Sequence, residues 1–99
     1  MRKTYELALS TAAKRDLKRL PLDIQENIIF EHLPKIEKDP LGVGTPLFGT
    51  LKRELSYHFG RKPEYRIIYF IENQLVIVTI IGSREGIYKR AKRRVGGRK

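Results

Sequence analysis

The sequence predicts an α+β fold in the order β-α-α-β-β-β-α: a small antiparallel sheet, an N-terminal helical hairpin and a C-terminal helix, with the helices mostly on one face. Three observations carry that prediction. The runs YRIIYFI (Tyr65 to Ile71) and LVIVTII (Leu75 to Ile81) are dense in β-branched and aromatic residues. Only Glu72-Asn73-Gln74 separates them, so they form an antiparallel hairpin. Ahead of them lie two segments with apolar residues at helical spacing, and behind them a basic segment with helical character.

Element by element, YELAL (Tyr5 to Leu9) alternates weakly and reads as a short strand. Ser10 or Thr11 then caps a helix of about three turns, TAAKRDLKRL, with Ala13, Leu17 and Leu20 on its apolar face. Pro21 stops it. Asp23 caps the second helix, whose stripe is Ile24, Ile28, Ile29, Leu33 and Ile36. Phe30 lies off that stripe, available to another element or a partner, and Pro34 predicts a kink or an end near Leu33. DPLGVGTPLFGT (Asp39 to Thr50) holds enough Gly and Pro to be a loop. Leu51 to Phe59 is a strand of mixed polarity, joined by Gly60 to Pro63 to the next. The near-continuous apolar run from Leu75 to Ile81 predicts a strand buried on both faces. Ser83 reads as the N-cap of a final helix from about Arg84 to Arg94.

The chain of 99 residues predicts a single domain over 1–99, with 95–99 as a flexible basic tail. It has no cysteine, no run approaching the roughly 18 apolar residues of a membrane span, and no signal-peptide pattern at MRKTYELAL. These point to a cytoplasmic protein without a disulfide framework or a membrane partner. The net charge is +10, and eight of the 21 Lys and Arg fall between Arg84 and Lys99 against one acid, Glu85. Such asymmetry predicts a polyanionic partner, nucleic acid or acidic protein; the alternative is a solvated helix face.

Most catalytic signatures are absent: there is no phosphate loop, HExxH or nucleophile elbow. A metal would need His32 and His58 to meet acids from separate elements, so neither metal nor cofactor is expected. The abundant cations near strand ends suit a different reaction, cleavage of an RNA phosphodiester by its own 2′-hydroxyl. There the nucleophile arrives with the substrate, and guanidinium forks stabilise the charge on phosphorus oxygens. Arg66 shares a strand face with Ile68 and Phe70, where a cation needs a substrate, a partner or solvent. Arg84 follows the Ser83 cap, so its guanidinium and the helix-start N–H groups would form an anion site. Tyr88, one turn on, faces the same way and could stack on a base or move a proton. Glu54, Ser56 and His58 alternate onto one face of the preceding strand. Of these His58 is the candidate base or acid, because histidine is the side chain that exchanges protons near neutrality. His32, between Glu31 and Lys35, reads as exposed. Lys52, Arg53, Lys89, Arg90, Lys92 and Arg93 are candidate nucleic-acid contacts, none specific alone.

The run LFGTLKRELSYHFGRKPEYRIIYFIENQLVIVTIIGSREGIY resembles the RelE/ParE superfamily of type II toxin–antitoxin toxins. Its most specific parts are S-Y-x-F-G followed by YRIIY, and I-G-x-R-E before a helix. The likeness extends over nearly the whole chain. It implies a RelE-like toxin fold and a ribosome-dependent, metal-independent mRNA endoribonuclease using 2′-hydroxyl attack. It implies Arg66 and Arg84 as transition-state stabilisers, Tyr88 as an assistant and, by analogy with members using His or Glu, His58 as base. Where the family often has two basic residues on the preceding strand, this chain has Ser56 and His58. The partners implied are mRNA, the ribosome and a cognate antitoxin, in a heterotetramer or larger complex. Two alternatives remain open: a ParE-like toxin that inhibits DNA gyrase by binding, and an inactive RNA-binding relative.

Overall fold

In the computed structural model, residues 4–47, 53–87, 90, 91 and 93 are described. The chain runs through β1 (Glu6–Leu9), α1 (Thr11–Lys18), α2 (Leu22–Asn27), a π-helical turn (Ile28–His32), α3 (Leu33–Lys38) and α4 (Pro40–Val43). It continues through β2 (Thr45–Pro46), β3 (Leu55–Phe59), β4 (Tyr65–Glu72) and β5 (Leu75–Ser83), and Ile87, Arg90, Ala91 and Arg93 are helical. The sheet order is β1-β5-β4-β3-β2. It is antiparallel from β5 to β2, as expected, whereas β1 joins β5 in parallel with Glu6 beside Leu75 and Leu9 beside Val78. A parallel neighbour requires a long crossover, and the helices with the rest of the sheet provide it.

Local chemistry explains most boundaries. Ser10 caps α1, its hydroxyl accepting from the Ala13 N–H at 3.1 Å. Pro34 does not end the second helix. It sits in α3 just after the π turn, in which the Leu33 N–H reaches back to the Ile28 carbonyl. The wider turn moves the preceding carbonyls away from the proline ring, which has no N–H to offer them. The region read as a loop contains α4, capped by the Asp39 side chain at the Gly42 N–H, and the two-residue strand β2.

The sheet separates two cores. Against one face, Ala13, Ile28, Leu33 and Ile36 pack on Leu55, Tyr57, Ile67, Tyr69, Val76, Val78 and Ile81. Against the other, Ile87 and Ala91 of the C-terminal helix pack on Ile68 and Ile80, with Leu47 at the margin. The helices therefore lie on both faces, because β5 is apolar on both and each side needs a cover. The β4–β5 ladder changes register once: Ile68 pairs with Ile80 but Tyr69 with Val78. Thr79 is the extra residue of this bulge, and its hydroxyl donates to the Ile68 carbonyl at 3.2 Å. Phe30 is exposed, outside both cores.

Ile28 is fully buried where the π turn meets the sheet. Ile28→Ala should cost about 2–4 kcal/mol and lower the thermal midpoint by roughly 10–20 °C, measured by calorimetry.

Candidate functional site

The hairpin pairing sets the site. On β4, Arg66 stands between His58 on β3 and Gly82 on β5. Glu64 and Arg66 are two apart and share the face that carries Ile68. The ladder then continues beyond β5, with the Arg84 N–H donating to the Glu64 carbonyl at 2.9 Å. Alternation puts Gly82 on the same side as Arg66 and His58, and Arg84 follows two residues after Gly82 with its main chain opposite Glu64. One end of this face therefore brings Arg66 and His58 together from neighbouring strands, with the main chain of Arg84 beside them. Over Gly82 lies the Arg90 guanidinium, its Nη1 2.8 Å from the point a Cβ would occupy.

Glu64, which the sequence reading passed over, holds the arrangement. Its Oε2 accepts from Arg66 Nε at 2.6 Å and lies 2.5 Å from a terminal nitrogen of the same guanidinium, both side chains being mostly buried. Its main chain anchors Arg84. The signal was available, since an acid two residues before an arginine in a strand lies on the same face. Of the alternating trio that begins just before β3, Glu54 and Ser56 are buried at 1% exposure each, and only His58 is exposed.

Arg84 does not begin a helix. Ser83 is the last residue of β5 rather than an N-cap, Arg84 lies in a bend, and Gly86 takes a positive φ of 74° before helix begins at Ile87. The anion site cannot then draw on helix-start N–H groups beside Arg84, whose own N–H is committed to Glu64. The ladder gains two more residues by running on to Ser83, which outweighs a local cap.

The predicted nucleic-acid contacts divide. Arg53 and Arg93 are exposed. Arg90 is tied back: it donates at 3.0 Å to Asp16, whose side chain is 2% exposed and whose other oxygen accepts from the Ile81 N–H at 3.1 Å. Lys52, Tyr88, Lys89 and Lys92 lie outside the described residues.

His32 is the largest departure from expectation. It is 7% exposed, its Nδ1 lies 2.7 Å from the Tyr57 hydroxyl, and its ring stacks on Phe59 at 3.9 Å. Burial pushes its pKa below the usual histidine value, with Glu31 opposing and Lys35 adding to the shift; burial also raises the Tyr57 phenol. Tyr57 therefore stays protonated and His32 neutral, which suits a single hydrogen bond between them.

Family comparison gives this geometry its setting. The family described as the ParE toxin of type II toxin–antitoxin systems, parDE, matches residues 7–88. This chain belongs to that family. The toxin is also 33% identical over 89 residues to Toxin RelG of Mycobacterium tuberculosis, covering 87% of this chain and 98% of that protein. Its fold is similar to that in the toxin–antitoxin complex RelBE2 of the same organism, at 29% identity and a TM-score of 0.73, over 82% of this chain and 99% of that one. Free Escherichia coli toxin RelE, as an arginine-substituted mutant, shares the fold at 21% identity and a TM-score of 0.72, over 92% and 97% of the two chains. The chain is thus a toxin of the RelE/ParE superfamily. Among the described residues no helix is long and apolar enough to cross a membrane.

Two outcomes follow from the buried groups. Asp16→Ala removes a charged acceptor and orphans the Ile81 N–H, and should destabilise by about 2–3 kcal/mol, read from urea midpoints. His32 has a lowered pKa when folded, so below its ordinary value of 6.5 the unfolded state binds the extra proton. Stability should fall as pH drops below 6.5, with a slope of at most about 1.4 kcal/mol per pH unit, levelling off below the folded pKa. Urea midpoints of the toxin and His32→Gln, compared between pH 8 and pH 5, should diverge by this contribution.

Proposed function

We propose that this toxin is a ribosome-dependent, metal-independent endoribonuclease that cuts mRNA, with the substrate's own 2′-hydroxyl as nucleophile. The observation that supports it most is the register itself: Arg66 pairs with His58 on β3 and Gly82 on β5, and the Arg84 N–H bonds to the Glu64 carbonyl two residues before Arg66. The 2′-oxygen attacks the adjacent phosphorus as its proton passes to a base, and His58 is the exposed group placed to take it. Arg66 and Arg84 bind the non-bridging oxygens, whose charge grows in the pentacoordinate transition state. Guanidinium forks match two oxygens at once. The bond to the 5′-oxygen then breaks as that oxygen is protonated, leaving a 2′,3′-cyclic phosphate and a 5′-hydroxyl. Tyr88 enters by resemblance as the assisting phenol.

Glu64 holds the Arg66 guanidinium in place before substrate arrives. That costs some charge available to the phosphate, but it removes the need to order a long side chain during the reaction. Arg53, Arg93 and the basic residues after Arg84 suit a longer-range role toward ribosomal RNA. The same charge suits an antitoxin partner with an acidic segment.

In vitro translation followed by primer extension on the mRNA tests this reading. Arg66→Ala and Arg84→Ala should each lower cleavage by roughly 10²–10³-fold while leaving the circular dichroism spectrum unchanged. Full cleavage by both variants would remove the assignment. Intact mRNA with the wild-type toxin, accompanied by gyrase-dependent DNA breaks in expressing cells, would favour the gyrase-inhibitor reading that the parDE family description also allows.

A further inference from the structure

An RNA strand carries further phosphates on either side of the one that is cut. Next to the candidate site, β1 pairs with β5 only as far as Val78, so the rest of β5 has no strand on that side. There a cleft of about 330 Å³ opens between the end of α1 and the edge of β5. Asp16, Arg19 and Leu20 form one wall, Ile81 to Ser83 the other, and Arg90 reaches in from the C-terminal helix.

We propose that this cleft binds the phosphodiester adjacent to the scissile one, as a subsite for the RNA strand. The identification of the anion as RNA rests on the reading above. Three features support it. First, Arg90 is preset: Asp16 grips one end of its guanidinium, while Nη1 lies 2.8 Å from the point a Cβ on Gly82 would occupy. A side chain at 82 would oblige this guanidinium to shift. Second, further donors face the cleft. The Ile81 N–H, taken by Asp16, shows that this edge turns its N–H groups inward, and alternation along the ladder sends the Ser83 N–H the same way. Arg19 stands exposed at the rim. Third, two guanidiniums and one carboxylate leave one positive charge, which matches one phosphodiester.

The opposing negative end of α1 is muted. The Asp16 and Leu17 carbonyls accept from Arg19 and Leu20, and the Lys18 and Leu20 carbonyls from the Gln25 side chain. The cleft also adjoins the candidate site. Gly82 pairs directly with Arg66, and Ser83 precedes Arg84.

The test is a salt titration of binding to a short single-stranded RNA made uncleavable by 2′-deoxy substitution, followed by fluorescence anisotropy. Arg19→Ala should weaken binding and reduce the slope of log K against log salt by about 0.7, the share of one phosphate on a single strand. Lys14→Ala removes an exposed cation from the same helix, outside the cleft, and should leave the slope unchanged. An unchanged slope in Arg19→Ala, or an equal loss in both variants, would overturn the proposal. So would an absence of RNA binding by the wild-type toxin. Because the probe cannot be cut, a toxin that binds with this slope pattern but leaves mRNA intact on the ribosome refutes the nuclease reading while the subsite stands.

Discussion

The β4–β5 ladder is the constraint from which the rest of the molecule follows. β5 is buried on both faces, so it demands a cover on each side, and the helices are divided between them accordingly. The same ladder carries β3 and β1 on its two flanks. It also runs past its apolar stretch to Ser83, and the Arg84 N–H continues it by one bond to the Glu64 carbonyl. The pairing that builds the core therefore fixes the main chain of Arg84 two residues across from Arg66 on the neighbouring strand.

In a chain with so large an excess of positive charge, two of the three acids that are not exposed, Glu64 and Asp16 but not Glu54, have a shared task. Glu64 fixes Arg66, and Asp16 fixes Arg90. Each pair loses hydration and gains geometry, a poor exchange for stability alone. What it secures is orientation: two guanidiniums are held in place before any partner arrives, whereas Arg53 and Arg93 stand exposed on the surface.

Legibility in the sequence followed the range of the interactions. The two strands of the hairpin, the Ser10 cap and the apolar faces of the first helices are local patterns, and all were readable, except that Ile29, counted on the second helix's stripe, is exposed. Arg66 and His58 could be placed on one face by alternation alone. What failed was decided by distant residues. His32 reads as exposed beside Glu31 and Lys35, yet Tyr57 and Phe59, far along the chain, draw it inside. Ser83 carries the chemistry of a helix cap, but pairing with Tyr65 on β4 claims it first. Pro34, read as a kink or an end near Leu33, is in fact marked by a π turn just before it, a local outcome rather than a distant one. Asp16 looks like one more charged position on a basic helix until the open edge of β5 is set beside it.

The bulge at Thr79 has one more consequence, which is a matter of parity. Along β5 the odd-numbered Ile77 shares a face with Phe70, while beyond the bulge the even-numbered Ile80 and Gly82 occupy that face. The same strand run through Thr79 without a bulge, pairing Thr79 with Ile68, would turn Gly82 to the helical hairpin, on the wrong side of the sheet from Arg66. The bulge converts odd to even. In that sense the meeting of Gly82 with Arg66 is settled before Gly82 is reached, by a count rather than by any contact it makes.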